Sequence, residues 1–578
     1  MLNLASLDSI NHERKKRKNE EVYTVSASIG SVGYTRISNA WMEPSQITTM
    51  QTINRISSYL EQPDRFRDLQ QTLRDRWQTV ELFDSSDADI LIVPSISIDQ
   101  RELRKIDGCE HYEERLLFSL IRLRNPRTRL IYVTSLPLHP SVIDYYLQLL
   151  PGIPFSHARN RLLLLSTYDA SVKPLTQKIL DRPRLIERIR QALRHDKAFM
   201  VCYNATEIEA DLSLKLGVPL YAAAPDLQIW GTKSGSRQIF AECEIPHPDG
   251  SQRVWNSTDL AEAAADLWER QPTLKRMVVK LNEGFSGEGN ALLDLRPIQH
   301  LAPPDANYAQ RVEALGKSFE TLRFQAKNET WENFSGRIPE LGAIVEAFVE
   351  GEIKRSPSVQ GRITPSGDVE ILSTHDQILG GSDGQIYLGC RFPADEAYRL
   401  QLQQIGLKIG KSLAEKGALE RFGVDFIAID RGDGKWDMQA IEINLRKGGT
   451  THPFMTLKLL TNGRYDLSTG LFYSQQGRPK YYVATDNLQK DRYQGLMPND
   501  LMDIVAHHRL HFDTGTETGT VFHLMGCLSQ FGKLGLTSIG DSPQQAEDIY
   551  NKVAKVLDEE SGRQNWDSFL NLPEIAFW

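Results

Sequence analysis

The sequence predicts a multidomain chain of α/β and α+β class, and three observations carry that prediction. Continuous apolar strands alternate with helical patterns between about residues 80 and 220, and glycine-rich and carboxylate-bearing hairpins replace them between 276 and 453. The 578 residues also exceed what one domain usually holds, roughly three or four domains being ordinary at this length. The formal net charge of −8 argues against a general nucleic-acid binder. No apolar run approaches the ~18–20 residues that span a bilayer, and no signal-peptide core follows Met1. A cytoplasmic protein with no nucleic-acid and no membrane partner is therefore expected. Five scattered cysteines without a Cys-x-x-Cys pair read as reduced, mostly buried thiols.

The charged run from His12 to Glu21 is read as the end of a poorly ordered arm over residues 1–21. Residues 22–220 follow as an open α/β unit. Its strand candidates are 89–94, 129–134, 161–166 and 198–202, and segments 112–123, 140–150 and 183–194 carry apolar residues at three-four spacing between them. Unbroken apolar strands separated by helices indicate a mostly parallel sheet. No Gly-x-Gly-x-x-Gly follows the first strand, so a scaffold or substrate domain is expected rather than a dinucleotide fold.

Residues 221–345 make a second unit, with a proline-rich break at 245–250, an alanine-rich helix at 259–270, and two strands joined by a glycine loop at 276–293. Its stretch 299–340 is polar and irregular, and is expected to be an insertion or flexible segment. A third unit, 346–479, contains a helix at 397–416 and the hairpin that begins at Gly423. The last unit, 480–578, holds a clear helix start, where Ser542 can cap, Pro543 fits the first turn and Gln545 completes a capping box.

The hairpin from Gly423 to Asn444 carries the strongest chemical signal. Asp425 lies on its first strand, and Glu442 and Asn444 lie two apart on its second, hence on one face. Two carboxylates and an amide oxygen that converge form a hard-oxygen site suited to Mg²⁺ carrying nucleotide phosphates. Arg446 follows two residues later. Upstream, Lys280 ends a strand, and Gly284, Gly287 and Gly289 let backbone N–H groups approach a phosphate. An apolar strand then delivers Glu346, and the linker after it presents Glu350 and Glu352. Alone, the glycine hairpin reads equally as a surface turn, and the acidic linker equally as an exposed edge.

In order and approximate spacing, Lys233, Lys280 with its glycine loop, Glu346, Asp425 and Glu442-x-Asn444 resemble the nucleotide site of the ATP-grasp superfamily. The stretches Tyr112–Leu117, Glu442–His452, Gly519–Leu524 and Gly540–Pro543 resemble a narrower group, the carboxylate–amine and peptide ligases related to the pheganomycin peptide ligase. That resemblance implies a pre-ATP-grasp α/β domain over 22–220, an ATP-grasp core of two α+β subdomains over 221–345 and 346–479, and a small α+β C-terminal domain over 480–578. It further implies that Lys233 and Lys280 hold the α- and β-phosphates, and that Gly284, Ser286, Gly287 and Gly289 fold over them. Glu346, Ala347 and Phe348 would meet adenine, with Glu352 or Glu350 on ribose. Asp425, Glu442 and Asn444 would bind one or two Mg²⁺ ions, with Mn²⁺ able to substitute. Lys280 and Arg446 would face the transferred phosphoryl group. One departure falls at 374–382, where many members carry a lysine; His375 and Gln377 are the candidates to take its place.

The implied activity is ATP-dependent activation of a carboxylate as an acyl phosphate and its joining to an amine or peptide, releasing ADP and phosphate. The partners are then a small acid and an amine, with a homodimer as the default state for an enzyme of this size. Thr450, Thr451 and His452 are candidates to border the substrate, against the reading as a simple turn. A phosphotransferase and a non-catalytic ATP-binding regulatory module share the same nucleotide residues and stand as alternatives. Asp513-Thr-Gly515 lacks the second such motif that an aspartic protease needs. His507, His508, His511 and His523 fit no common zinc spacing and are read as strand and surface histidines.

Overall fold

A computed structural model describes residues 58–562, apart from 82–86, 99, 151, 285–288, 327–328 and 381–385. The arm expected over 1–21, and Ser286 and Gly287 of the glycine loop, lie outside the described residues.

Strands β1 (Asp89–Val93), β2 (Arg129–Thr134), β3 (Leu162–Ser166) and β4 (Ala198–Cys202) form a parallel sheet in the order β3-β2-β1-β4. Along β1, Ile90 and Ile92 enter one apolar cluster and Leu91 and Val93 another, because successive side chains point to opposite faces. Both faces are covered over β1, β2 and β4, which is why those strands read as unbroken apolar runs, while the edge strand β3 leaves Leu163 exposed. The helix expected at 112–123 spans Cys109–Arg124 and winds as a 3-10 helix, long for that form. Side chains three apart eclipse on such a helix, so the Arg115 guanidinium stacks 3.9 Å from the centre of the Tyr112 ring.

Strands β5 (Arg276–Leu281), β6 (Asn290–Asp294), β7 (Arg323–Phe324) and β8 (Ala343–Ala347) form an antiparallel sheet in the order β7-β6-β5-β8. Met277, Val279 and Leu281 of β5 pack with Leu260, Ala264 and Trp268 of the helix Ser257–Arg270. Val278 and Lys280 therefore point to the opposite face. The stretch 299–340 departs from the expectation of an irregular insertion: it carries the helix Tyr308–Ser318, started by a capping box of Asn307 and Gln310, and strand β7. Val312, Leu315 and Phe319 give it a narrow apolar stripe against the core, and the polar residues around that stripe hid it.

The third sheet is antiparallel and has eleven strands. They are β9 (Lys354–Arg355), β10 (Pro357–Ile363), β11 (Val369–Gly380), β12 (Ile386–Phe392), β13 (Glu420–Asp430), β14 (Trp436–Asn444), β15 (Arg464–Asp466), β16 (Leu471–Tyr473), β17 (Pro479–Gln489), β18 (Gly519–His523) and β19 (Lys533–Gly540). The main order is β14-β13-β10-β11-β12-β17-β16-β15, with β9 beside β13, β19 beside β17 and β18 beside β19. Leu402, Ile409 and Leu413 of the helix Arg399–Glu415 cover it, packed with Val359, Phe422 and Val424. The segment from Lys480 thus begins inside this sheet, as part of β17. Ser542 caps the helix Pro543–Ser561 by accepting from the Gln545 N–H. Among the described residues no helix is long and apolar enough to cross a membrane.

Candidate active site

The acidic hairpin is β13 and β14, turned through Gly432 and Gly434, both at the positive φ that glycine adopts without strain. Its register sets Asp425 directly opposite Glu442, and Gly423 opposite Asn444. Val424, Phe426 and Ile443 go to the core, so the strand period leaves Asp425, Glu442 and Asn444 on a cavity wall. The Asn444 amide donates to Asp425 Oδ2 at 2.9 Å and the Gln377 amide to Oδ1 at 2.6 Å. Burial, and then the facing Glu442 carboxylate, push the Asp425 carboxyl up to about 7 against the pull of Arg446, Gln377 and Lys233. Two carboxylates that repel one another beside a free amide oxygen are the donor set that a hard divalent cation relieves.

Lys233 opens the helix Lys233–Glu242, capped by Thr232, whose hydroxyl accepts from the Gly235 N–H. Close packing at that turn requires glycine at 235, since a Cβ there would lie 1.9 Å from the Ile229 carbonyl oxygen. Asn282 fastens this start to the glycine hairpin: its carbonyl accepts from Lys233 N at 3.1 Å and its side chain from Ser234 N at 2.9 Å. The Lys233 ammonium lies 2.5 Å from Glu442 Oε1 and 3.4 Å from the Gly284 carbonyl. Lys280, on the cavity side of β5, donates to Glu346 Oε2 at 2.5 Å, and Arg237 reaches Glu346 Oε1 at 3.3 Å. Both lysines are nearly buried, and each is balanced by one acid.

A cavity of about 1390 Å³ lies between these walls. That exceeds the ~300–1,000 Å³ that holds one drug-sized ligand, leaving room for a nucleotide and a second molecule. Val278, Lys280, Ala347 and Phe348 line it from the small sheet; Gln377, Asp425, Glu442, Asn444 and Arg446 line it from the large one, with Thr450 beyond.

Other candidate residues stand apart from that wall. Gly284 and Gly289 form the neck of the glycine hairpin, where Leu281 N donates to the Gly289 carbonyl at 2.9 Å. Glu350 pairs with Arg276, its Oε1 3.0 Å from Nε, and Glu352 is exposed on the linker; neither lines the cavity. His375 is buried against Tyr482, whose hydroxyl is 2.6 Å from its Nε2, and burial lowers its pKa to about 3. Gln377, not His375, is the residue of that strand that meets Asp425. Thr451 Oγ1 accepts from Gly448 N and starts the helix Thr451–Thr461. His452 is buried with Asp486 and His523. The sequence reading passed over Arg237, although its four-residue spacing from Lys233 on a helix was a usable signal. It gave no role to Arg115, although that residue lies in the stretch Tyr112–Leu117, and passed over Tyr203 and Lys533, which line the far part of the cavity with it from segments distant in the chain.

The chain matches the family model described as IQCH-like, ATP-grasp over residues 226–317 and 305–468, and the PGM1 C-terminal domain over 500–553. It is similar to L-propargylglycine–L-glutamate ligase of Streptantibioticus cattleyicolor, at 30% identity over 477 residues, covering 81% of this chain and 93% of that protein. It is also similar to IQ motif-containing protein H of Danio rerio, at 21% identity over 562 residues; there it covers 90% of this chain but spans only about half, 52%, of the relative. Among solved structures, a biotin carboxylase–β,γ-ATP complex from Campylobacter jejuni aligns over 83% of this chain and 96% of its own, with a TM-score of 0.49 and 12% identity. The first ATP-grasp match covers Lys233 and Lys280, the second Asp425, Glu442 and Asn444, and the ligase similarity runs through most of the chain. On that ground the chain belongs to the ATP-grasp superfamily, among its ATP-dependent carboxylate–amine ligases.

Proposed function

We propose that the enzyme phosphorylates the carboxylate of one amino acid with ATP and joins the resulting acyl group to the amine of a second amino acid or peptide. The observation that carries this reading is the in-register pair Asp425 and Glu442, with Asn444 beside it and Lys233 on Glu442. The similarity to a ligase named for two amino acids supports that substrate class.

Asp425, Glu442 and Asn444 would hold one or two Mg²⁺ ions, which supply neutralising charge to the nucleotide phosphates. Adenine is assigned to the linker after β8, against Ala347 and Phe348. Glu346 acts through Lys280, which it holds in place, and not through the base. A carboxylate oxygen attacks the γ-phosphorus, the bond to the β–γ bridging oxygen breaks, and ADP leaves. The amine nitrogen then attacks the acyl carbon, the bond to the phosphate oxygen breaks, and the nitrogen loses a proton. Negative charge builds on phosphoryl and acyl oxygens in both steps, where Lys280 and Arg446 stabilise it from fixed positions.

Incubating the protein with Mg-ATP and pairs of amino acids or short peptides tests the reading. ADP and phosphate should appear together with a product of summed mass less water. Release of AMP and pyrophosphate overturns it, and a stable phosphorylated product without free phosphate turns it into a phosphotransferase.

A further inference from the structure

The cavity has a second charged wall, far from the nucleotide residues along the chain. Tyr112 and Arg115 reach it from the helix Cys109–Arg124, Tyr203 from the end of β4, and Lys533 from the start of β19. Lys533 is 4% exposed; its ammonium donates to the Tyr112 hydroxyl at 2.9 Å and has no carboxylate within ion-pair distance among the described residues. Arg115 is 7% exposed, and its terminal nitrogens donate to Asp486 and, at 3.2 Å, to the Tyr203 hydroxyl, while its buried Nε has no hydrogen-bond partner. Asp486 is shared further: its Oδ1 is 2.6 Å from His523 Nε2 and 3.0 Å from His452 Nε2. Burial lowers the His452 pKa to about 4, leaving it neutral. Asp107, also on this wall, is exposed, and the Gln489 amide donates to it at 3.5 Å.

Asp486 is the carboxylate that pairs with a cation here; the buried Glu114 accepts from Gly526 N and burial pushes it up to about 7, so the two buried cations outnumber the negative charge beside them and face an open space. A buried cation without a counter-charge is costly, and it persists at a cavity wall where an anion completes it. We infer that Arg115, Lys533 and the Tyr112 hydroxyl between them form a subsite for the free carboxylate of the amine substrate. The carboxylate that becomes the acyl phosphate must reach the γ-phosphate beside Arg446 and the acids of β13 and β14. In sheet order β19 stands five strands from β13, roughly 24 Å along the sheet at about 4.8 Å per strand. An anion held at Lys533 is therefore not the one phosphorylated. It belongs to the acceptor, an amino acid or a peptide C-terminus. The assignment to a substrate rests on the ligase reading, but binding of the carboxylate can be measured without turnover.

Equilibrium dialysis of the full chain with Mg-ADP tests the inference, using the common L-amino acids and a set of dipeptides, each as free acid and as carboxamide. At least one free acid should bind roughly ten- to a hundredfold more tightly than its carboxamide, the range of a charge-assisted contact. Lys533→Met should erase that difference by weakening the acid alone, with Mg-ADP binding retained. Arg115→Lys, which keeps the charge but loses the fork, should reduce the difference as well and serves if Lys533→Met does not fold. Equal binding of acid and carboxamide by the wild-type chain, no binding of any free acid, or an unchanged ratio in Lys533→Met overturns the inference. Dipeptides favoured over amino acids identify a peptide acceptor. Absence of phosphate release from every acid–amine pair overturns the ligase reading instead, and leaves the acid-to-amide ratio readable.

Discussion

The two ends of the cavity carry the same kinds of side chain but pair them differently. At the nucleotide end three cations each touch an acid: Lys233 touches Glu442, and Lys280 and Arg237 both touch Glu346. At the far end Arg115 pairs with Asp486, while the Lys533 ammonium touches the Tyr112 hydroxyl and no carboxylate among the described residues. The difference follows from what each end must exchange. A nucleotide with its divalent cation brings charge of both signs, so the empty site can neutralise itself and be repartitioned when that pair arrives. A lone carboxylate brings only negative charge, and a site for it stays positive until it is filled.

Breaking the end that holds the paired lysines should have the largest effect. Glu442→Ala removes a proposed metal ligand and leaves the buried Lys233 without its acid, so ADP and phosphate release should fall by at least about 10³-fold. Retention of more than a tenth of the rate would remove Glu442 from the metal site. Lys280→Met comes next. Arg237 remains on Glu346, so the fold should survive, while the rate falls roughly 10²–10³-fold through loss of one preorganised donor. Normal turnover with a raised KM for ATP alone would make Lys280 a ground-state binder rather than a transition-state one.

The same comparison explains what could be read from the sequence. The nucleotide end is built from short-range patterns: strand period two sorts Lys280 from Val279, and Glu442 and Asn444 from Ile443. Those alternations are visible in any ten-residue window. The far end has no such pattern. Tyr112, Tyr203, Asp486 and Lys533 meet only through the packing of the parallel sheet's helix against β17 and β19, and no local period encodes that. Where one strand carried both options, as with His375 and Gln377, the sequence could not choose. The choice comes from Tyr482 and Phe392, which enclose the imidazole and leave the amide to Asp425. Polar dominance likewise hid the helix Tyr308–Ser318, because a narrow apolar stripe suffices when one side alone is buried.

A pH series sharpens the contrast at about tenfold. Asp425 titrates near 3.8 when unfolded and near 7 when folded, so between those values the folded chain holds the extra proton. Without metal, the Asp425 contribution to stability is therefore full below about pH 4 and is lost as pH rises through 7. Mg²⁺ needs the ionised form, so its apparent affinity should rise roughly tenfold from about pH 6 to about pH 8, as read by Mg²⁺-dependent retention of ADP. His452, held near 4, adds no titration in that window. A flat profile would mean that Asp425 is already ionised and that Glu442 does not press on it.

The smallest effect should come from Glu350→Ala. The resemblance offered Glu350 for ribose, yet its carboxylate lies on Arg276, half exposed and off the cavity wall. Exposed pairs of this kind are worth roughly 0–1 kcal/mol. Removing one should leave the thermal midpoint nearly unmoved and change the KM for ATP by less than about threefold, since no ligand contact is lost. A rise of tenfold or more in KM, with kcat held, would mean that Glu350 leaves Arg276 for the sugar when the nucleotide binds. The nucleotide end would then resemble the far end after all, in holding a charged side chain whose true partner is the ligand and not the protein.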